Sequence, residues 1–203
     1  MYDYDVHARD IKKVLAKLDI KNAVLGCFSV GGAIVIRYIS KYKGAHVSKL
    51  ALFSAAAPIW TQRKDFPYNL QKNVVDALVE LNYKDQPKLL SDFAKIFSTT
   101  ETSLNEEIGS CLNGICISAS SYATAKCLIA LRDTDLRKDL AKIKVPTIIM
   151  HGKLDKICSF DLAEQMKAGI SDSQLVPFEN SGHSLFLEET RTFNAELIKF
   201  AGK

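Results

Sequence analysis

Three short stretches of this sequence carry the residue types that nucleophilic chemistry needs. In Cys27-Phe28-Ser29-Val30-Gly31-Gly32, a serine stands between an apolar run and a glycine pair. A serine on a sharp strand-to-helix bend projects its hydroxyl above the carboxyl edge of a sheet, and small neighbours are needed because the backbone there is crowded. The same hexapeptide also fits a helix N-cap, so taken alone it leaves both readings open. His151-Gly152-Lys153-Leu154-Asp155 and Ser181-Gly182-His183-Ser184 each follow a further apolar run. Taken in chain order, Ser29, Asp155 and His183 are the set that acyl transfer uses. The hydroxyl attacks, the imidazole takes its proton, and the carboxylate fixes the tautomer and stabilises the imidazolium.

Other residues compete for these roles. His7 and His46 read as surface residues, and His151 reads as the donor of a structural hydrogen bond at a strand end. Asp133 and Asp135 are rival carboxylates, although Asp135 stands at a helix start and reads as a cap. Cys27 has no basic sequence neighbour to lower its pKa, so it reads as a small side chain filling a turn. Cys27, Cys111, Cys116, Cys127 and Cys158 are an odd number at irregular spacing. They suggest free thiols in a reducing cytoplasm, mostly in apolar surroundings, with no disulfide framework and no zinc site. Gly26, Gly31 and Gly32 do not make the dinucleotide-binding pattern, so neither a cofactor nor a metal is implied.

Positioning three such groups takes a frame, and the apolar pattern supplies one. Residues 5–18 carry Ala8, Ile11, Val14, Leu15 and Leu18 at helical spacing. An apolar strand follows over 22–28, then a tight turn and a helix over 33–42. Further strands are predicted over 47–57, 145–150 and 173–178, all separated by helices. Such alternation implies a parallel sheet covered on both faces. Residues 61–144 interrupt the alternation with four helical stripes: Leu70, Val74, Leu78 and Leu81; Leu89, Leu90, Phe93 and Phe97; Leu104, Ile108, Cys111, Leu112 and Ile115; and Tyr122, Ala125, Leu128 and Leu131. A helical insertion between two strands reads as a lid. The predicted division is a first core part over 1–60 with the serine turn, a lid over 61–144, and a second core part over 145–203 with the acid and the histidine. The last helix is predicted to carry Phe186, Thr190, Phe193, Leu197 and Phe200 on one face.

Composition narrows the class. The chain has 203 residues, 47% hydrophobic and 25% charged, the profile of one ordinary globular domain. Its net charge of +4 comes from scattered basic residues, which gives no footprint for nucleic acid. No apolar run approaches the ~20 residues that span a bilayer. Met1-Tyr2-Asp3-Tyr4-Asp5 lacks the basic-then-apolar pattern of an export leader, so a cytoplasmic protein without a membrane partner is expected.

From Tyr4 to its C-terminus the chain resembles an α/β-hydrolase of the group that includes bacterial cofactor-free haloperoxidase-like arylesterases. The resemblance rests on Ala8-Arg9-Asp10-Ile11, Phe28-Ser29-Val30-Gly31-Gly32-Ala33, Phe66-Pro67-Tyr68, Thr134-Asp135-Leu136-Arg137-Lys138-Asp139-Leu140, Val145-Pro146-Thr147 with His151-Gly152, and Ser181-Gly182-His183. It implies Ser29 as nucleophile, Asp155 as acid, His183 as base and the Val30 amide as one oxyanion donor. It also implies cleavage of small carboxylic esters through an acyl-enzyme, without a cofactor and with perhydrolysis as a side activity. Two residues depart from the family pattern: Cys27 replaces the usual elbow glycine, and Ser159 stands where a proline usually follows the acid. In that family, four strands and a loop bearing a second oxyanion amide precede the elbow strand, whereas only residues 1–28 precede Ser29 here. The N-terminal part of the sheet is therefore expected to be missing, with the elbow strand at an edge and copies pairing through it. The alternative is a truncated or degenerate hydrolase remnant with a binding or regulatory role.

Overall fold

A computed structural model describes residues 2–99 and 105–202. Helix α1 (Tyr4–Lys17) leads to β1 (Ala23–Phe28), α2 (Val30–Tyr42) and β2 (Val47–Phe53). Four helices follow: α3 (Lys72–Lys84), α4 (Gln86–Phe97), α5 (Glu106–Ile117) and α6 (Ser121–Asp133). The short α7 (Arg137–Leu140) returns the chain to β3 (Thr147–Gly152), α8 (Phe160–Gly169), β4 (Ser173–Phe178), α9 (Leu185–Glu188) and α10 (Thr190–Ala201).

The strands form one parallel sheet in the order β1-β2-β3-β4, with Leu25 opposite Leu50 and Ile149 opposite Leu175. Side chains alternate across a strand, so one sheet serves two cores. Leu50, Leu52 and Ile149 face one way and pack with Val35, Ile36 and Ile39 of α2 and Ala163 and Met166 of α8. Ala51, Ile148, Met150 and Phe178 face the other way and meet Leu185, Phe193 and Phe200. Ile149 is wholly enclosed, and cutting it to alanine costs about 2–5 kcal/mol. A third cluster, with Ile59, Trp60, Phe66, Val75, Leu131 and Leu162, joins the inserted helices to the rest.

Several predicted boundaries move. Helix α2 begins at Val30 and not at Ala33, so the glycine pair lies in its first turn. A Cβ on Gly32 would stand 2.4 Å from the Ala55 Cβ, and its absence lets α2 approach the loop after β2. Strand β2 ends at Phe53, well before Ala57, because Ser54 adopts φ 41° and turns the chain. Strand β3 runs to Gly152, so His151 lies inside it. In α3 the buried apolar residue is Val75, while Val74 is exposed and Leu70 precedes the helix. Phe186 sits in α9, separated from α10 by Glu189, so the final apolar face belongs to two helices. Leu104 of the third predicted stripe lies outside the described residues. Among those residues no single helix is long and apolar enough to cross a membrane; α5 and α6 together are, but they meet at 94°.

Candidate active site

Ser29 is where β1 gives way to α2. Its backbone sits at φ 53°, ψ −123°, a region that costs a non-glycine residue about 1–3 kcal/mol. Neighbouring backbone holds it there. The Ser29 amide donates to the Phe53 carbonyl (3.0 Å), and its carbonyl accepts from the amides of Gly32 (2.9 Å) and Ala56 (3.0 Å). Ser29 occupies the cap position of α2, yet its side chain caps nothing. Its hydroxyl instead lies 3.0 Å from His183 Nε2, which decides between the two readings of the hexapeptide.

Asp155 follows β3 and is almost fully buried. Its Oδ1 accepts the amides of Ile157 and Cys158, both at 2.8 Å, and its Oδ2 accepts His183 Nδ1–H at 2.8 Å. The turn carrying it is pinned by the stretch that follows β2. Trp60 Nε1 donates to the Ile157 carbonyl (3.0 Å), and the Ser159 amide donates to Asn69 Oδ1 (3.1 Å). Burial pushes the Asp155 carboxyl up, but the His183 bond and charge, His151 and the Cys158 amide outweigh it and hold the group below its usual 3.8. A carboxylate at Oδ2 requires His183 to carry its proton on Nδ1, which leaves Nε2 bare to accept from Ser29.

His183 reaches this spot because Gly152 lets the chain cross the end of β3. A Cβ there would lie 2.1 Å from the Gly182 carbonyl oxygen and 2.3 Å from that of Ser181. The imidazole is fully buried beside Phe28 (4.6 Å between ring centres) and Phe97 (5.8 Å). A pocket of about 250 Å³ opens above it, lined by Phe28, Ser29, Leu90, Phe93, Phe97 and the Gly109–Cys116 side of α5, with His183 at its base. Its walls are almost wholly apolar. The Val30 amide, first in α2, is one of those that a helix start leaves without an intrahelical acceptor.

The remaining candidates separate from this centre. His151 is fully enclosed, donates from Nε2 to the Cys158 carbonyl (2.7 Å) and stands 3.5 Å from Asp155 Oδ2. Burial lowers its pKa below the ordinary 6.5. Cys27 packs against Gly31, and burial pushes its thiol up to about 12, the opposite of activation. It borders a different groove, about 480 Å³, that runs along α1 and β1 past His7 and Leu25 and contains none of Ser29, Asp155 or His183. His7 and His46, expected at the surface, are half-buried. The Nε2 of His7 is enclosed without a partner, and the Nδ1 of His46 donates to the Ile20 carbonyl (2.9 Å). Asp133 and Asp135 bind Arg132 and Arg137 at the surface, and Asp135 also accepts the Arg137 amide. Cys158 is buried and Cys27 and Cys127 are half-buried, whereas Cys111 and Cys116 are exposed on α5. The aromatic wall of Phe28, Phe93 and Phe97 was not singled out by sequence. Its only signal was the spacing of Phe93 and Phe97, which equally fits a core stripe.

This frame and this centre define a class. The sequence model of the alpha/beta hydrolase fold family matches residues 1–190, and the chain belongs to that family. It is 48% identical to the AB hydrolase superfamily protein YisY of Bacillus subtilis over 200 residues, covering 98% of this chain and 74% of that protein. Among solved structures it is similar to the esterase EaEST from Exiguobacterium antarcticum, with TM-score 0.96 and 42% identity over 100% of this chain and 75% of that one. It is also similar to a bromoperoxidase from Bacillus anthracis, with TM-score 0.95 and 28% identity over 100% and 75%.

Proposed function

We propose that Ser29, His183 and Asp155 act as a catalytic triad that cleaves small, uncharged carboxylic esters through an acyl-enzyme. One observation carries this reading: the unbroken hydrogen-bond chain from the Ser29 hydroxyl through both nitrogens of His183 to a buried, ionised Asp155. Ser29 Oγ attacks the ester carbonyl carbon as its proton passes to His183 Nε2. The oxyanion forms near the Val30 amide, at the positive end of α2. Collapse breaks the carbon–oxygen bond to the alcohol, which leaves with the proton from His183. Water, deprotonated by the same nitrogen, then hydrolyses the acyl-serine. Hydrogen peroxide in place of that water would release a peracid.

Residues 61–144 serve as the lid in this reading, because α4 and α5 wall the pocket above Ser29. Among the described residues the walls are apolar and carry no charged side chain, which favours a short-chain or aromatic ester over a charged one. The similarity to EaEST, described as an esterase, supports the same reaction type.

A fluorophosphonate probe and p-nitrophenyl acetate test the proposal. Wild type should be labelled and should turn over, and Ser29→Ala should lose both. His183→Ala and Asp155→Asn should each lower kcat by roughly 10⁴-fold or more, as members of one unit. Labelling that survives Ser29→Ala would remove the serine from the mechanism. A folded wild type that neither labels nor turns over would favour the non-catalytic remnant.

A further inference from the structure

The loop that carries His183 is tied to the lid, just past the end of α4, by one carboxylate. Glu188 closes the short α9, and both of its oxygens are occupied. Oε1 accepts the amide (2.7 Å) and the hydroxyl (2.6 Å) of Thr99, two residues beyond the end of α4. Oε2 accepts the amide of Gly182 (2.8 Å) and the hydroxyl of Ser184 (3.0 Å), the two residues that flank His183. Two further bonds run alongside. The Ser184 amide donates to the Phe97 carbonyl (3.1 Å), and the hydroxyls of Ser98 and Ser184 are paired. Since the Ser184 hydroxyl donates to Glu188, the Ser98 hydroxyl is the donor in that pair.

This convergence goes beyond what is needed to end a helix. A carboxylate offers about four acceptor positions and no donor, and here four donors from two separate segments meet it. An amide in its place would keep the shape but turn an NH₂ toward one pair of donors. Phe97, the last residue of α4, lies against both Phe28 and His183, so a shift at Thr99 passes to the pocket wall and the imidazole together.

We propose that Glu188 is a positioning residue, a joint that sets the lid end of the pocket and the placement of His183 over Ser29 as one unit. Glu188 touches no reacting atom. The proposal rests on the triad reading for its kinetic consequences but not for its geometry.

A double-mutant cycle on the full chain tests it, with Glu188→Gln and Thr99→Val assayed on p-nitrophenyl acetate at equal folded fraction. Glu188→Gln should lower kcat roughly 10- to 100-fold, the scale of an ångström-sized misplacement of a catalytic group, with KM changing less. Thr99→Val, which removes only a lid-side hydroxyl, should lower kcat several-fold. The double variant should be no worse than Glu188→Gln alone, because both changes break one joint. Asp139→Asn, which disturbs a half-buried ion pair with Arg37 away from the site, should lower Tm and leave kcat unchanged.

A second measurement needs no turnover. The low-field NMR signal of the His183 Nδ1 proton should broaden or disappear in Glu188→Gln and persist in Asp139→Asn. An unchanged kcat in Glu188→Gln, strictly multiplicative effects in the cycle, or an undisturbed His183 proton would overturn the joint. A wild type without esterase activity would instead defeat the functional reading, and the NMR comparison would still decide this one.

Discussion

At the scale of single residues, the centre combines an ionised carboxylate with two buried imidazoles, and this sets how the protein responds to acid. His151 has its pKa lowered by burial, against the opposing pull of Asp155 and the Cys158 carbonyl and with His183 nearby. The folded state therefore resists a proton that the unfolded chain accepts below about 6.5, and stability falls as pH drops through that value toward the folded pKa. Asp155, held below 3.8, adds stability that is present above 3.8 and lost only as pH falls through its lower folded value. Urea midpoints should thus decline between pH 7 and 5, with a limiting slope of about 1.4 kcal/mol per pH unit per group, and His151→Gln should flatten that decline. An equal decline in wild type and variant would place the sensitivity elsewhere. Ser29, Asp155 and His183 were legible in the sequence because each stands just past an apolar run, in an order with chemical meaning. The approach of His151 to Asp155 was not, since the Cys158 carbonyl that its Nε2 meets and the carboxylate 3.5 Å away are both placed by the turn at 155–158. Nor was Glu188, since nothing in its neighbourhood announces that Thr99, from a distant segment, shares it with the nearby Gly182 and Ser184.

At the scale of elements, alternating strands and helices gave the parallel sheet, and the errors fall where periodicity is silent. A positive φ at Ser54 ends β2, although apolar residues continue on both sides of it. In α3, two adjacent valines differ only in which one meets the core. Helix α5 shows the same ambiguity with a functional edge. None of its residues is buried, and Gly109, Leu112, Asn113 and Cys116 face the pocket while Ile108 and Ile115 are exposed. A Cβ added at Gly109 meets nothing within 4 Å, so a larger side chain fits there by taking pocket space. Gly109→Leu should therefore leave kcat/KM for p-nitrophenyl acetate within about threefold of wild type while lowering it for p-nitrophenyl benzoate by about 10-fold or more, the scale that shape discrimination in an apolar pocket reaches. Equal loss on both esters would mean that α5 does not bound the acyl site.

At the scale of the whole molecule, both outer strands have functional ends. Ser29 hangs from β1 at one edge, Asp155 follows β3, and His183 follows β4 at the other edge. Neighbouring strands lie about 4.8 Å apart, so the two edges are separated by roughly 14 Å of sheet. The 3.0 Å hydrogen bond between Ser29 and His183 closes that span, with Phe28 of β1 packed against the same imidazole. Parallel sheets owe their shape to a cumulative twist, and a few degrees more or less per strand pair adds up over three pairings to a lateral shift at the ends. The serine–imidazole contact is therefore a gauge read across these four strands, more sensitive to a slackening sheet than any bond between adjacent strands. Urea well below the unfolding midpoint should depress esterase turnover while the far-ultraviolet circular dichroism of the helices and the fluorescence of Trp60 stay native. If turnover and Trp60 fluorescence fell together, the span would have to be braced as firmly as the core it crosses.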